Sequence, residues 1–274
     1  MPDFVYDIPT VDLAIWFTLI ALAMVIFGLF VIKPIFRLLL GTGTDFNASI
    51  NYMTSGFSLF YGLLLGLLTV AAYQNGDRVK ESVMIEAASL GVIYSQLNAY
   101  PEPFRSDVKE LLRDYVLYTI YKEWPAHRQG RILNGGYNRA GAIFRTLSEF
   151  EPDGDSNRII HEQVIAGFQD FVSARQLRLS GVITAIPNIL WYAVFVGAGI
   201  SIFLVVLLKI PILQHIVLGS ISAFFLGVIL LVITTLDRPL RGQAGLPPVP
   251  LQLLWERAMI WDEPLGERNF DGGV

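Results

Sequence analysis

The sequence predicts an all-α protein with four membrane spans, whose long helices continue into a helical cytosolic domain. Three observations carry that reading. Four apolar runs, at 13–32, 56–72, 188–208 and 216–236, are each long enough to cross a hydrocarbon core of about 30 Å. The 274 residues are 53% hydrophobic but only 16% charged, where a soluble protein carries about a quarter. From Phe57 to Tyr100 no proline interrupts the chain, so an apolar segment runs directly into an amphipathic one. This stretch is one helix, or two nearly collinear ones hinged at Asn75-Gly76. The resulting organisation is two spans over 1–73, a helical soluble domain over 74–186, two spans over 187–236, and an extended tail with a short amphipathic helix over 237–274.

Composition narrows the function classes. There is no cysteine, which excludes disulfides, zinc–cysteine sites, iron–sulfur clusters and a thiol nucleophile. The formal net charge is −4, and no basic cluster points to nucleic acid. No set of nucleophile, metal ligands or cofactor-binding residues emerges, and the three histidines lie far apart in sequence. Catalysis, a cofactor and a metal are therefore not expected.

In chain order, the first span, Leu13 to Ile32, has no charge and no basic region before it, so it reads as a span and not as a cleaved leader. Lys33, Pro34 and Arg37 close it. The connector over 36–55 contains Gly41-Thr-Gly43, which resembles a phosphate loop only faintly, since no lysine follows and no strand precedes it. In the second span Ser58, Gly62, Leu65, Thr69 and Gly76 fall along one line at about 100° per residue. Two readings stay open there. Gly62 to Gly66 is a GxxxG that lets helices pack closely. The same small and hydroxyl residues would also line a pore, with Leu65 as a hydrophobic constriction once repeated around a ring.

Beyond the membrane, Val79, Val83, Ala87, Leu90, Ile93 and Leu97 repeat at three- and four-residue steps, and Glu86 falls on this apolar face and interrupts it. Pro101 and Pro103 end that helix. The next is expected from an N-cap at Ser106 to Trp124, with Val108, Leu111, Leu112, Tyr115, Tyr118 and Thr119 inward and Pro125 as the stop. A loop over 126–137 and a short helix over 138–149 follow. Asp153 and Asp155 flank a glycine, a weak calcium signal that lacks the glutamate of an EF-hand, because the twelfth position is Val164.

A long helix over 157–185 turns Ile160, Val164, Phe168, Phe171, Val172 and Leu177 toward a core. Arg175 and Arg178 precede the third span, either as interfacial anchors or as an electropositive vestibule that concentrates anions. Lys209 to His215 reads as a tight connector. No span carries a carboxylate or lysine in its interior, which argues against a proton relay. In the tail, Leu251, Leu254, Trp255 and Met259 share one side of a short helix. That side needs its own domain, a neighbouring subunit or the membrane surface as partner. With both termini and the soluble domain cytosolic, Arg78, Lys80, Arg175, Arg178, Arg238 and Arg241 lie inside, against Lys33, Arg37 and Lys209 outside. The first span taken alone argues the other way.

Several motifs carry a family resemblance. The segment YGLLLGLLTVAAY (Tyr61 to Tyr73) leads into Glu86-Ala87, and the tyrosine-rich helix ends in Tyr121-Lys-Glu-Trp124-Pro125. RQLRLS (Arg175 to Ser180) and Leu236-Asp-Arg-Pro-Leu-Arg-Gly242 follow. Over 56–242 the chain resembles the bestrophin-like membrane family of bacteria and plants, and distantly the bestrophin anion channels. The resemblance implies a pentameric channel with cytosolic termini, whose second membrane helix lines the pore and continues into a helical cytosolic domain. The usual phenylalanine of the last motif is Leu240 here. The aromatic neck of the animal channels is not reproduced, with Leu65 in the middle of the second span, and no acidic cluster matches their calcium clasp.

The expected function is an oligomeric ion channel passing anions, in the inner membrane of a bacterium. Ser58, Gly62, Leu65 and Thr69 are the expected pore lining, and Arg175 and Arg178 the vestibule. The expected partners are membrane lipid, inorganic ions and further copies of the chain, and not nucleic acid. The alternative is a non-conducting membrane scaffold or sensor that presents its helical domain to partners.

Overall fold

The computed structural model describes residues 1–40 and 46–260, and all regular structure among them is helical. The phosphate-loop reading of Gly41 to Gly43 lies outside the described residues. The chain forms two compact units. One comprises Met1–Gly76 and Thr184–Ala244, the other Asp77–Ile183 together with the chain from Gly245 onward.

The first unit holds the apolar helices. α1 (Thr10–Phe27) passes through a π turn at Gly28–Ile32 into α2 (Lys33–Leu40). α3 is a single helix from Phe46 to Gln96. Asn75-Gly76 therefore does not break it. The first part of α3 belongs to this unit, with α8 (Asn188–Leu207) and α9 (Ile212–Asp237). Four helices are long and apolar enough to cross a membrane: Thr10–Phe36, Asn47–Ala99, Asn188–Leu207 and Ile212–Asp237. The chain is an integral membrane protein.

Small residues set how closely these helices approach, since lipid tails give them no hydrophobic reason to associate. A side chain at Gly227 would meet the Thr18 backbone at 3.1 Å, and one at Gly219 would meet Val25 at 2.7 Å. These two glycines let α9 lie against α1. Gly197 of α8 is covered by the Tyr61 ring, whose hydroxyl donates to the Val194 carbonyl at 2.9 Å. Val25, Tyr61, Leu65, Trp191, Val194 and Ile233 form part of one buried cluster.

Two boundaries differ from the sequence reading. The helix of the first span runs on past Ile32, and Lys33 is 7% exposed. Its ammonium donates to His215 Nδ1 at 2.8 Å, while His215 Nε2 donates to the Val205 carbonyl at 2.8 Å. That histidine lies inside α9, because Pro211 sets the helix start immediately after itself. The expected connector shrinks accordingly, and the Asn47 side chain clasps Lys209 through two hydrogen bonds to its backbone.

The second unit is built on the rest of α3. Leu90, Ile93 and Leu97 of its chain segment, Val108, Leu112 and Tyr115 of α4 (Phe104–Tyr118), Ile143 and Leu147 of α6 (Gly135–Ser148), and Val164 and Phe171 of α7 (Asp155–Ile183) are all fully buried, and the Tyr115 and Phe171 rings meet edge to face at 5.0 Å. α4 starts two residues before the expected cap. The Glu102 carboxylate takes that role, accepting from the Ser106 N–H at 3.2 Å and from its hydroxyl at 2.6 Å. Those bonds, and Arg105 beside them, hold Glu102 below the usual carboxylate range.

Pro125 does not stop the helix. A π turn at Thr119–Glu123 joins α4 to α5 (Trp124–Arg128), and the Trp124 N–H reaches back to the Thr119 carbonyl. One residue of extra winding leaves a carbonyl without its usual donor, so the missing N–H of proline costs little there. The same winding carries Glu123 and Trp124 inward, at 0% and 2% exposure. The tail partner is this unit itself. Leu251 of α10 (Val249–Leu254) and Met259 are buried, the Arg113 guanidinium lies over the Trp255 ring at 5.4 Å, and Trp124 Nε1 donates to the Leu246 carbonyl at 2.8 Å.

Candidate functional site

Each unit offers one candidate. In the membrane unit it is the exposed face of α3. From Asn47 to Gly76 this helix carries no charged residue. Its inward stripe is Ile50, Tyr61, Leu65, Leu68 and Ala72. On the other side Ser55, Ser58, Gly62, Gly66 and Tyr73 are exposed, and a side chain added at Gly56, Gly62 or Gly66 would meet nothing within 4 Å. Among the described residues, the GxxxG therefore meets no neighbouring helix.

The line drawn from the sequence runs along the edge of the buried stripe, which is why its members part company. Ser58 and Gly62 are exposed and Thr69 is half-buried, but Leu65 is only 5% exposed and belongs to the protomer core. A leucine reaches farther sideways than serine or glycine, and from the edge it reaches inward. Leu65 thus faces the protomer core, and the exposed face beside it carries the open glycines. Two hydroxyls on this part of the helix are also engaged. Thr69 donates to the Leu65 carbonyl at 2.8 Å and Ser55 to the Asn51 carbonyl at 2.9 Å. Oxygens bonded in this way present lone pairs and no proton to a passing ion.

In the helical unit the candidate is a buried ionic cluster. Arg175 and Arg178 stand on the inward face of α7 in register with Phe168, Phe171 and Val182. Arg178 is fully buried, and its Nε donates to Glu86 Oε2 at 2.6 Å while Nη2 donates to Glu123 Oε2 at 3.1 Å. Arg175 donates to the other Glu123 oxygen at 2.9 Å. Tyr115 donates to Glu86 at 2.6 Å, and Trp124 lies under the Arg178 guanidinium at 5.3 Å. Two cations thus face two carboxylates. Arg175 and Arg178 are matched internal charges and do not line an open vestibule.

The environment fixes the protonation states. Burial opposes the Arg178 charge, but Glu86 and Glu123 outweigh it and hold the guanidinium above its ordinary value. Burial, reinforced by Glu86, pushes the Tyr115 hydroxyl up. His127 lies against Arg178, with Nδ1 3.3 Å from Nη1, so this nitrogen accepts. Burial, then Arg178 and Arg175, lower its pKa from 6.5 to about 3, and it is neutral near pH 7. Gly136 closes the cluster from α6. A Cβ there would collide with Glu123 Oε1 and lie 2.7 Å from Arg175 Nη2.

Glu123 and His127 were not anticipated as partners, since the π turn that places them leaves no residue pattern. Glu86 was visible as a charge on an apolar face. No group of three metal-type ligands occurs among the described residues, and Asp155 pairs instead with Arg158 at 3.5 Å.

Comparison with known proteins follows the same outline. A family model described as a Bestrophin-like domain matches residues 23–251. The fold is similar to a crystal structure of a bacterial bestrophin homolog from Klebsiella pneumoniae, with a TM-score of 0.65 at 14% identity, over 91% of this chain and 99% of that one. A single-substitution variant of that homolog gives 0.65 at 14% identity, over 89% and 98%. A further structure, described only as a membrane protein, gives 0.66 at 15% identity over 91% and 99%. No curated protein matches the chain.

Proposed function

The chain belongs to the bestrophin-like family, and from that premise we propose that it is an oligomeric ion channel whose pore is lined by the membrane part of α3. The observation that carries this reading is the open space beside Gly56, Gly62 and Gly66 on an exposed, uncharged helix face. Small residues there leave room for an ion once copies of the chain are arranged about an axis. The lining we propose is Ser58, Gly62, Gly66 and Thr69. A pentamer is the assembly expected from the family resemblance. The proposed setting is a bacterial inner membrane with the helical unit in the cytosol, supported by the bias of Lys and Arg toward that side.

The expected anion preference loses two supports. The Thr69 proton is spent on its own helix, and Arg175 and Arg178 are neutralised by Glu86 and Glu123. An uncharged lining of small residues discriminates weakly by charge, so the proposed pore is weakly selective. Planar-bilayer recording of purified protein under an asymmetric potassium chloride gradient tests this. The expected reversal potential lies between the chloride and potassium limits, and Gly62→Leu or Gly66→Leu strongly reduces the current. Unchanged currents in both variants would remove α3 as the lining. Silence across voltage, pH and calcium would instead favour the non-conducting scaffold.

A further inference from the structure

Between α3 and α8 the membrane unit holds a groove of about 450 Å³, within the range of about 300–1,000 Å³ typical of ligand sites. Four rings, Phe57, Phe60, Tyr61 and Tyr192, wall it, and Ala193 and Gly197 are its small residues. We propose that this groove binds one acyl chain of a membrane phospholipid.

The wall is held by the protomer itself. Tyr61 lies over Gly197, where a Cβ would come within 2.3 Å of the ring, and its hydroxyl donates to the Val194 carbonyl at 2.9 Å. Phe57 stacks on Tyr61, with ring centroids 5.6 Å apart and 19° between the planes. The lining selects hydrocarbon. None of its residues is charged, and with the Tyr61 hydroxyl engaged only Tyr192 brings a polar side-chain group. Tyr192 stands near the start of its span, which begins at Asn188, and a tyrosine there suits the headgroup level. From that end the α8 lining runs from Ile189 to Ile200, a rise of about 16 Å at about 1.5 Å per residue. The groove therefore follows the direction in which a lipid tail enters the bilayer.

The rim decides between a lipid tail and a second copy of the chain. Membrane helices approach one another through small residues. Here the exposed rim is large, with Phe60, Ile189 and Tyr192 at 72%, 71% and 67% exposure. These side chains hold another helix away from Ala193 and Gly197, while a single hydrocarbon chain passes between them. On α3, Phe60 and Leu64 lie about 160° round the helix from Gly62. With the lining proposed above as the premise, the groove opens toward the bilayer and not toward the pore.

The test uses full-length protein in vesicles of phosphatidylethanolamine and phosphatidylglycerol, part of the latter carrying a photoreactive diazirine in one acyl chain. Irradiation and peptide mapping locate the label. The exposed face of α9 at Val217, Ile221 and Phe224, which does not line the groove, gives the background from bulk lipid. The groove segments of α3 and α8 are expected to label well above it. Ala193→Phe fills the groove and is expected to bring them down to the α9 level. Because Ala193 is half-buried, Ile200→Trp is the second variant; it fills the groove from an exposed position, and the same loss is expected. Labelling at or below the α9 level in the unaltered protein, as when a second copy seals the groove, would overturn the proposal, and so would an excess that survives in Ile200→Trp. A protein that labels as expected but passes no current would remove the channel reading and leave this one.

Discussion

Arg178 shows how one residue can hold a helical unit together. Its guanidinium donates to Glu86 and Glu123 at zero exposure, so removing it strands two carboxylates that water cannot reach. Arg178→Met is expected to destabilise the protein by about 3–5 kcal/mol, the range for breaking a buried pair. Denaturant titration in detergent measures it. A loss under about 1 kcal/mol, typical of an exposed pair, would show that the cluster is not structural. His127 adds a pH dependence with a definite sign. Its folded pKa, about 3, lies below the unfolded value of 6.5. The unfolded chain therefore binds the extra proton first, and this contribution to stability is complete above about pH 6.5 and is lost as pH falls toward 3. The slope is at most about 1.4 kcal/mol per pH unit. His127→Gln should flatten the acid limb of a stability–pH curve by that part, and an unchanged limb would mean the histidine is already protonated in the fold.

At the scale of the element, the π turn at Thr119–Glu123 and the glycine at the start of α6 work as a pair. The turn swings Glu123 into the unit, and Gly136 leaves the space its carboxylate occupies. Gly136→Ala is therefore expected to cost about 1–3 kcal/mol by overpacking, although alanine is the better helix former. Gly62→Ala makes the control. It sits in open space on α3, and its effect on stability should be small or favourable. Comparing the two by thermal unfolding separates a glycine kept for packing inside the protomer from one kept for a face turned outward. If both cost the same, backbone propensity and not local space is the cause.

Over the whole molecule, the charges are sorted by place. The membrane part of α3 has none, and the arginines of α7 are consumed in the helical unit. A channel built this way would owe little of its selectivity to fixed charge. Neutralising Glu86 or Arg178 is then expected to change stability and leave the reversal potential in place, which bilayer recording of a folded Glu86→Gln variant reads directly. A shift of the reversal potential toward the chloride limit would return those side chains to the conduction path.

The apolar runs and the unbroken stretch from Phe57 to Tyr100 were enough to determine an all-helical chain with four helices of membrane length and α3 as one long helix. These follow from local chemistry: hydropathy, proline placement and residue period. Glu86 was legible as a misplaced charge on a helix that continues through Asn75-Gly76. The inward turn of Leu65 was not, because a line drawn at the edge of a helix face belongs to either side until neighbours are present. Nor was the pairing of Arg178 with Glu123. A π turn shifts the phase of every residue after it without a mark in the sequence, and only packing against α6 and α7 selects that winding. Whether an arginine faces solvent or a carboxylate is decided by what other segments bring to it, and that is a property of the tertiary structure alone.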